Sequence, residues 1–197
     1  MATTDWDFGF GGSYRSLVTS KYISAPKSLQ FYATASPNYD VVLSRSPICQ
    51  NLPQGEVRNW IWQDQNQHYF AVFRNQAALG SSNYQNCYML YNEAGALKLW
   101  RYQGGVGQQR GTTSATIPYN QWNEIRAVWW NGLTPGGADA LSVVAYIRVG
   151  AIWTQLGGII QDTAQTWKTS SINRCGFLHN VIGGHYGWFD DTEIWGP

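Results

Sequence analysis

The sequence predicts an all-β chain, folded as a two-sheet antiparallel β-sandwich. Three observations carry that prediction. Alternation of large apolar with polar residues, rich in Val, Ile, Tyr, Trp and Thr, recurs with period two from end to end of the 197 residues. No stretch has the spacing of a long amphipathic helix. Turn sequences interrupt the alternation at intervals of roughly ten residues, as expected of short strands packed in two layers.

The strands are read in chain order. Segments 14–19, 28–34 and 40–45 carry Leu17, Val18, Phe31, Tyr32 and the run Val41-Val42-Leu43. Segments 56–64 and 68–75 set Trp60, Ile61, Trp62, Val72 and Phe73 among polar residues, and 87–92, 97–103 and 112–117 do the same with Tyr88, Leu90, Leu99, Trp100 and Ile117. Segments 122–130, 141–149 and 154–161 hold the longest alternations, and 175–179 and 188–195 close the series with Phe177, Trp188, Phe189 and Trp195. Turn residues stand between them, at Asn51-Leu52-Pro53-Gln54-Gly55, Glu93-Ala94-Gly95, Gly104-Gly105-Val106-Gly107, Asn131-Gly132 with Pro135-Gly136-Gly137, and Gly183-Gly184. No internal repeat or Pro/Ser-rich linker marks a boundary, so residues 1–197 read as one domain.

Alternation also assigns side chains to sheet faces. In 56–64 one face holds Val57, Asn59 and Ile61, and the other Arg58, Trp60, Trp62 and Asp64. The corresponding second faces are Lys98, Trp100 and Tyr102 in 97–103, Trp122, Glu124, Arg126, Val128 and Trp130 in 122–130, and Ser142, Val144, Tyr146 and Arg148 in 141–149. Their alternates, Leu97, Leu99, Ile125, Ala127, Val143, Ala145 and Ile147, form an apolar core face. A face that mixes Trp and Tyr with Arg, Lys and Glu is unlike a plain solvated surface. It suits sugar recognition, in which flat rings cover the apolar C–H faces of a pyranose while charged and amide groups take its hydroxyls. The same charges, Arg58, Glu124, Arg126 and Arg148, also fit a cross-strand ion-pair ladder of structural use only.

Composition narrows the partners. Thirteen Lys and Arg against 12 Asp and Glu leave a net charge of +1, which argues against nucleic acid and anionic membrane. The 13 Asn and 15 Gln outnumber the 25 charged side chains, so the polarity is largely neutral amide. A hydrophobic content of 44% excludes disorder. The longest apolar runs, such as 127–130 and 143–147, fall far short of the roughly 20 residues of a membrane helix, so no membrane insertion is expected. MATTDWDFGF has no basic region and no apolar stretch, so a secretory signal is either already removed or was never there. Cys49, Cys87 and Cys175 stand at least 38 residues apart, which excludes a CxxC motif; at most one bridge can form, and three buried thiols is the simpler reading.

The order of these segments resembles the concanavalin A-like jelly roll, in particular its laminin G-like branch. GEVRNWIWQDQ (55–65) resembles that family's opening core strand, HYFAVFRNQ (68–76) the strand after it, and GALKLWRY (95–102) its Gly-Lys-Leu turn strand. NQWNEIRAVWW (120–130) resembles the Trp-His-hydrophobic strand with Asn123 in place of His, and LSVVAYIRVGAIW (141–153) the strand end marked by Tyr, Val and Gly. WFDDTEIW (188–195) is similar to the last strand, which in that family returns beside the N-terminal strand. The resemblance spans about Lys27 to Trp195 and implies a jelly-roll sandwich. That architecture serves lectins, carbohydrate-binding modules, hydrolases, lyases, adhesion domains and virion proteins, so function has to come from the site.

The expected function is non-catalytic binding of an oligo- or polysaccharide, outside the cell or on a virion surface. Its ligand face is Arg58, Trp60, Trp62, Lys98, Trp100, Tyr102, Glu124, Arg126, Tyr146 and Arg148. The alternative is a virion or surface-assembly protein, a capsid decoration or fibre subunit that self-associates or packs against lattice neighbours through surfaces rich in Tyr, Trp and Arg. Glycoside hydrolysis usually requires two carboxylates across one cleft, and Glu124 is the only acid in mid-strand on the aromatic face. A polysaccharide lyase is a minor alternative. Arg58, Gln67, His68, Tyr146 and Arg148 supply its residue types, and YIRVG (146–150) resembles the Tyr-x-Lys-x-Gly strand of jelly-roll alginate lyases with Arg in place of Lys. GGVGQQRG (104–111) reads as a loop between strands, with no helix to form a phosphate cradle. His68, His179 and His185 lack metal-ligand spacing. By resemblance to sandwich modules in which an acidic pair on the last strand joins groups near the N-terminus, Asp190 and Asp191 with Asp5 and Asp7 read as one structural Ca2+ site.

Overall fold

The computed structural model describes residues 6–8, 15–21, 23, 28–32, 38–64, 68–80, 83–181 and 186–196. Their strands are β1 (Trp6–Phe8), β2 (Arg15–Val18), β3 (Ser28–Tyr32), β4 (Asn38–Ser44), β5 (Gly55–Gln63), β6 (His68–Asn75) and β7 (Cys87–Glu93), then β8 (Ala96–Gln103), β9 (Val106–Ser114), β10 (Trp122–Leu133), β11 (Asp139–Val149), β12 (Ile152–Asp162), β13 (Arg174–Val181) and β14 (Tyr186–Trp195). They form two seven-stranded sheets: sheet A in the order β1-β4-β13-β6-β7-β8-β9, and sheet B in the order β12-β11-β10-β5-β14-β3-β2. All pairings within the two sheets are antiparallel. The all-β two-sheet sandwich expected from alternation is therefore the fold observed.

Two local points differ from the sequence expectation. Residues 104–111 are not a loop: Gly104 and Gly105, with φ of 58° and 80°, make a two-residue turn, and the chain returns at once as β9. Two successive positive φ values are what a tight hairpin needs, and glycine adopts them without steric cost. The short strand β1 has too few residues to show a period, and the sequence reading missed it. The last strand returns beside β3, the first strand of the span that carries the resemblance, as that resemblance implies, and has β5 on its other side. Tyr14, Ala33 and Thr34, at the ends of predicted strands, lie outside the described residues.

The core lies between the sheets, where Phe73 stacks on Trp129 with centroids 4.9 Å apart and Phe177 on Phe189 at 4.6 Å. The predicted core residues Leu97, Leu99, Ile125, Ala127, Val143, Ala145 and Ile147 are all buried. Since Phe177 points toward sheet B, its neighbour Leu178 and the registered Val41, Leu43 and Val72 point away from it, yet these too are buried. The outer face of sheet A is thus covered around β4, β6 and β13, and the outer face of sheet B carries buried Glu124, Ser142, Val144, Trp188 and Asp190 among less buried side chains.

Bulges bring charge into the core. Arg74 (φ 47°) sits in β6 where the register with β13 slips, and Arg110 is the extra residue of β9 opposite β8. A bulge redirects a side chain that alternation would place elsewhere. Arg74 is fully buried, donating to the carbonyls of Pro53 and Thr166 and to Asn131. Arg110 donates to Asp162 Oδ1 from Nε at 2.9 Å and Nη2 at 2.8 Å, the Tyr88 hydroxyl donates to Oδ2 at 2.6 Å, and Arg101 stands 3.8 Å from Oδ2. This cluster ties β6, β7, β8 and β9 of sheet A to the end of β12 in sheet B.

Cys49, Cys87 and Cys175 are free and buried. Hydrogen bonding with Cys175, aided by Ser44 and Ser46, outweighs burial and draws the Cys49 thiol down to about 6, while burial pushes Cys87 and Cys175 up. Thiolate character without access gives little reactivity. A bulky disulfide reagent is therefore expected to leave all three thiols of the native protein unmodified and to titrate three in denaturant; rapid labelling of Cys49 under native conditions would contradict the buried placement.

Candidate functional site

Register across sheet B converts the alternation into rows on its outer face. One row runs Trp122, Trp62, Trp188 across β10, β5 and β14. The next sets Trp60 between Glu124 and Asp190 and continues through Arg148 to Trp153 on β12. Beyond it, Arg58 stands between Arg126 and Glu193, with Tyr146 and Gln155 further along. A last row places Glu56 between Val128 and Trp195. Trp60, Trp62, Trp122, Trp130, Tyr146 and Trp153 are half-buried, and Trp195 is 55% exposed.

The charges on this face bind one another. Arg58 reaches Glu56 and Glu193, both at 3.2 Å, Arg126 lies 3.7 Å from the other oxygen of Glu56, and Arg148 donates to Glu124 at 2.7 Å. Cations also cover rings: Lys21 Nζ sits 3.3 Å from the Trp62 centroid and 4.8 Å from that of Trp188, while Arg126 lies over Tyr146 at 4.4 Å and Trp153 at 5.0 Å. Burial, partly countered by Asp64, lowers the pKa of Lys21. The face is a ladder of compensated charge with aromatic rings set into it.

Of the predicted ligand residues, Arg58, Trp60, Trp62, Glu124, Arg126, Tyr146 and Arg148 share this face, although Glu124 is itself buried. Lys98, Trp100 and Tyr102 do not. They belong to β8 in sheet A, where Trp100 packs against Tyr91 and Tyr102 with centroids 6.1 and 6.2 Å away, Tyr102 is buried, and Lys98 pairs with Glu93. Period two determines the face of a strand and is silent on the sheet that strand joins. Trp153 and Trp195 are the additions the sequence reading lacked. Trp153 was one residue outside the predicted strand, and the register slip between Asp190 and Glu193 turns Trp195 to the face that simple alternation gives to Ile194.

Asp7 and Asp190 lie in different sheets and do not converge on one Ca2+ site. Asp7 lies in sheet A, where its oxygens accept from Arg174 at 2.6 Å, Arg45 at 2.5 Å and the Gly80 amide at 2.8 Å. Burial raises its pKa, but these donors outweigh burial and leave it lowered. Asp190 lies in sheet B and accepts from the Ile23 and Asp191 amides, Asp191 is exposed, and Asp5 lies outside the described residues. A carboxylate committed to two guanidinium groups has no lone pairs placed for a hard cation. Among the described residues no group of three His, Cys, Asp or Glu is arranged to hold a metal ion. Gln67 and His185 lie outside the described residues.

No protein-family model and no curated protein matches the chain. Solved structures do. The carbohydrate binding module CBM66 from Bacillus subtilis is similar with a TM-score of 0.54 at 12% identity, over 92% of this chain and 94% of that one. The Ca2+-bound exoplasmic/lumenal domain of VIP36 gives 0.60 at 8% identity, over 100% of this chain and 86% of that one. An engineered GH43 glycoside hydrolase gives 0.57 at 12% identity, with this whole chain covering 39% of the enzyme. Two seven-stranded antiparallel sheets in this order, matched nearly end to end by a carbohydrate-binding module and a lumenal domain, give the chain the concanavalin A-like jelly-roll fold.

Proposed function

We propose that the chain is a non-catalytic glycan-binding domain that takes an oligo- or polysaccharide on the outer face of sheet B, outside the cell. The observation that carries this reading is the set of half-buried rings, Trp60, Trp62, Trp122, Trp130, Tyr146 and Trp153, interleaved with arginine and glutamate on the outer face of sheet B. Exposed apolar surface costs about 25 cal/mol per Å2, so large rings held at a surface favour a ligand that covers them. A saccharide does so with its C–H faces and meets the charged groups with its hydroxyls.

Arg58, Trp60, Trp62, Glu124, Arg126, Tyr146 and Arg148 supply this face; Lys98, Trp100 and Tyr102 are left out because they lie in sheet A. The non-catalytic reading is supported by the pairing of Glu56, Glu124 and Glu193 with arginines, which leaves no free carboxylate couple among them. The same pairing commits Arg58 and Arg148, the groups a lyase would turn toward a uronate. The fold is also that of a carbohydrate binding module and of a VIP36 domain solved in a Ca2+/Man-bound form.

The test is affinity electrophoresis through gels containing a panel of polysaccharides, run with calcium and with chelator, alongside light scattering. The expected result is a monomer retarded by at least one polysaccharide, with retardation weakened roughly three- to tenfold by Trp60→Ala, the worth of about one stacked ring, at unchanged melting temperature. Absence of retardation from a defined oligomer would favour a surface-assembly protein instead.

A further inference from the structure

The rings of the face are not equivalent. Trp62 and Trp188 meet edge to face with centroids 4.7 Å apart beneath Lys21, and Trp153 and Tyr146 lie under guanidinium groups. At the opposite end of β5 no ring or cation of the described residues stacks on Trp130 or Trp195. There the surface dips into an open cleft of about 280 Å3, lined by Val128, the indoles of Trp130 and Trp195, Gln54 and Glu56. The cleft depends on a glycine. A Cβ on Gly55 would stand 2.6 Å from the Trp195 carbonyl and 2.7 Å from the Leu52 side chain, so any larger residue would push the strand carrying Trp195 away.

Resting on the glycan-binding reading, we infer that this cleft is the subsite for one saccharide ring and that the ring is uncharged. Its volume lies just below the roughly 300–1,000 Å3 of small-molecule sites, enough for a single ring rather than a chain. Two indoles suit the apolar faces of a pyranose, and the lining offers a carboxylate and an amide to hydroxyl donors. Among the described residues Glu56 is the only charged one lining the cleft, and Arg58 and Arg126 pair with it, so neither the carboxylate of a uronate nor a cation meets an uncompensated charge there. Trp60 stands four residues along β5 from Glu56, about 13 Å at the rise of a strand, so only an oligosaccharide reaches both.

Titration of neutral mono- and disaccharides, of a galacturonate disaccharide and of choline, followed by tryptophan fluorescence and by ligand-observed NMR, tests this inference. Wild type, Trp130→Ala, Trp195→Ala and Trp60→Ala are compared, with melting temperatures as the check on folding. The expected result is binding of a neutral disaccharide that weakens roughly tenfold or more in Trp130→Ala and Trp195→Ala and is unchanged in Trp60→Ala. Neutral ligands that bind all four proteins equally, or that lose affinity only with Trp60→Ala, would overturn the cleft and leave the glycan reading standing. Binding of the uronate alone would overturn the neutral class, and binding of choline alone would replace the saccharide with a quaternary ammonium. Failure of wild type to bind any of these or any polysaccharide in the gel panel would remove both readings. Trp195 is exposed and at a strand end, so its alanine variant keeps the test valid even where Trp130→Ala fails to fold.

Discussion

Asp162→Asn is expected to lower the stability of the protein by about 3–5 kcal/mol, the cost of removing one partner from a buried charge cluster. Asp162 is 2% exposed and is the counter-ion shared by Arg101 and Arg110, with fully buried Arg74 in the same polar cluster. Asparagine preserves the shape and an acceptor for one donor, but it leaves these cations without a compensating charge. Against the roughly 5–15 kcal/mol typical of a domain, the loss is about a fifth or more of the total. Urea unfolding followed by tryptophan fluorescence measures it, and a loss below about 1 kcal/mol would show that the cluster is solvated and of little energetic weight.

The same residue sets an acid limb. Burial raises the pKa of Asp162, but hydrogen bonds from Arg110, Tyr88 and the Ala164 amide outweigh burial and hold the carboxyl below its ordinary 3.8. A carboxyl whose pKa is lower in the folded state than in the unfolded state stabilises fully above the unfolded value, and that contribution fades as pH falls through the folded one. Stability should therefore drop below about pH 4 in wild type, with Asp7 contributing in the same sense, and drop less steeply in Asp162→Asn.

Trp129→Ala is expected to cost about 3–5 kcal/mol, whereas Trp130→Ala, one residue along, should cost at most about 1 kcal/mol. Trp129 is 1% exposed and stacked on Phe73, so its truncation opens a cavity that the two sheets cannot close. Trp130 points outward over Gly132, where water fills whatever the ring leaves. Thermal unfolding separates the two. Equal losses would mean that the outer face of sheet B is buried in the folded protein, which would also defeat the glycan reading.

That contrast shows how much was legible in the sequence. Side chains alternate strictly along an extended strand, so the partition of Val57, Asn59 and Ile61 from Arg58, Trp60 and Trp62, and of Ile125 and Ala127 from Glu124 and Arg126, was readable without coordinates. The rule held wherever the ladder ran without interruption. It failed at the slips: Arg74 and Arg110 alternate as surface residues but are turned toward the cluster around Asp162, and the slip after Asp190 brings Trp195 rather than Ile194 to the cleft. A bulge costs one extra residue and leaves no compositional mark, so only the paired neighbour reveals it.

By itself, then, the sequence determined the all-β class, the positions of most strands and the two faces of each, because these depend on local period and turn chemistry. Only the tertiary structure decided that β8, with Lys98, Trp100 and Tyr102, joins sheet A while β5, β10 and β11 share sheet B. Only it placed Asp7 against two arginines, far in the fold from Asp190, and kept open the cleft between Trp130 and Trp195. Sheet membership and register are set by pairing between segments distant in the chain, and neither leaves a trace in the period of any one of them.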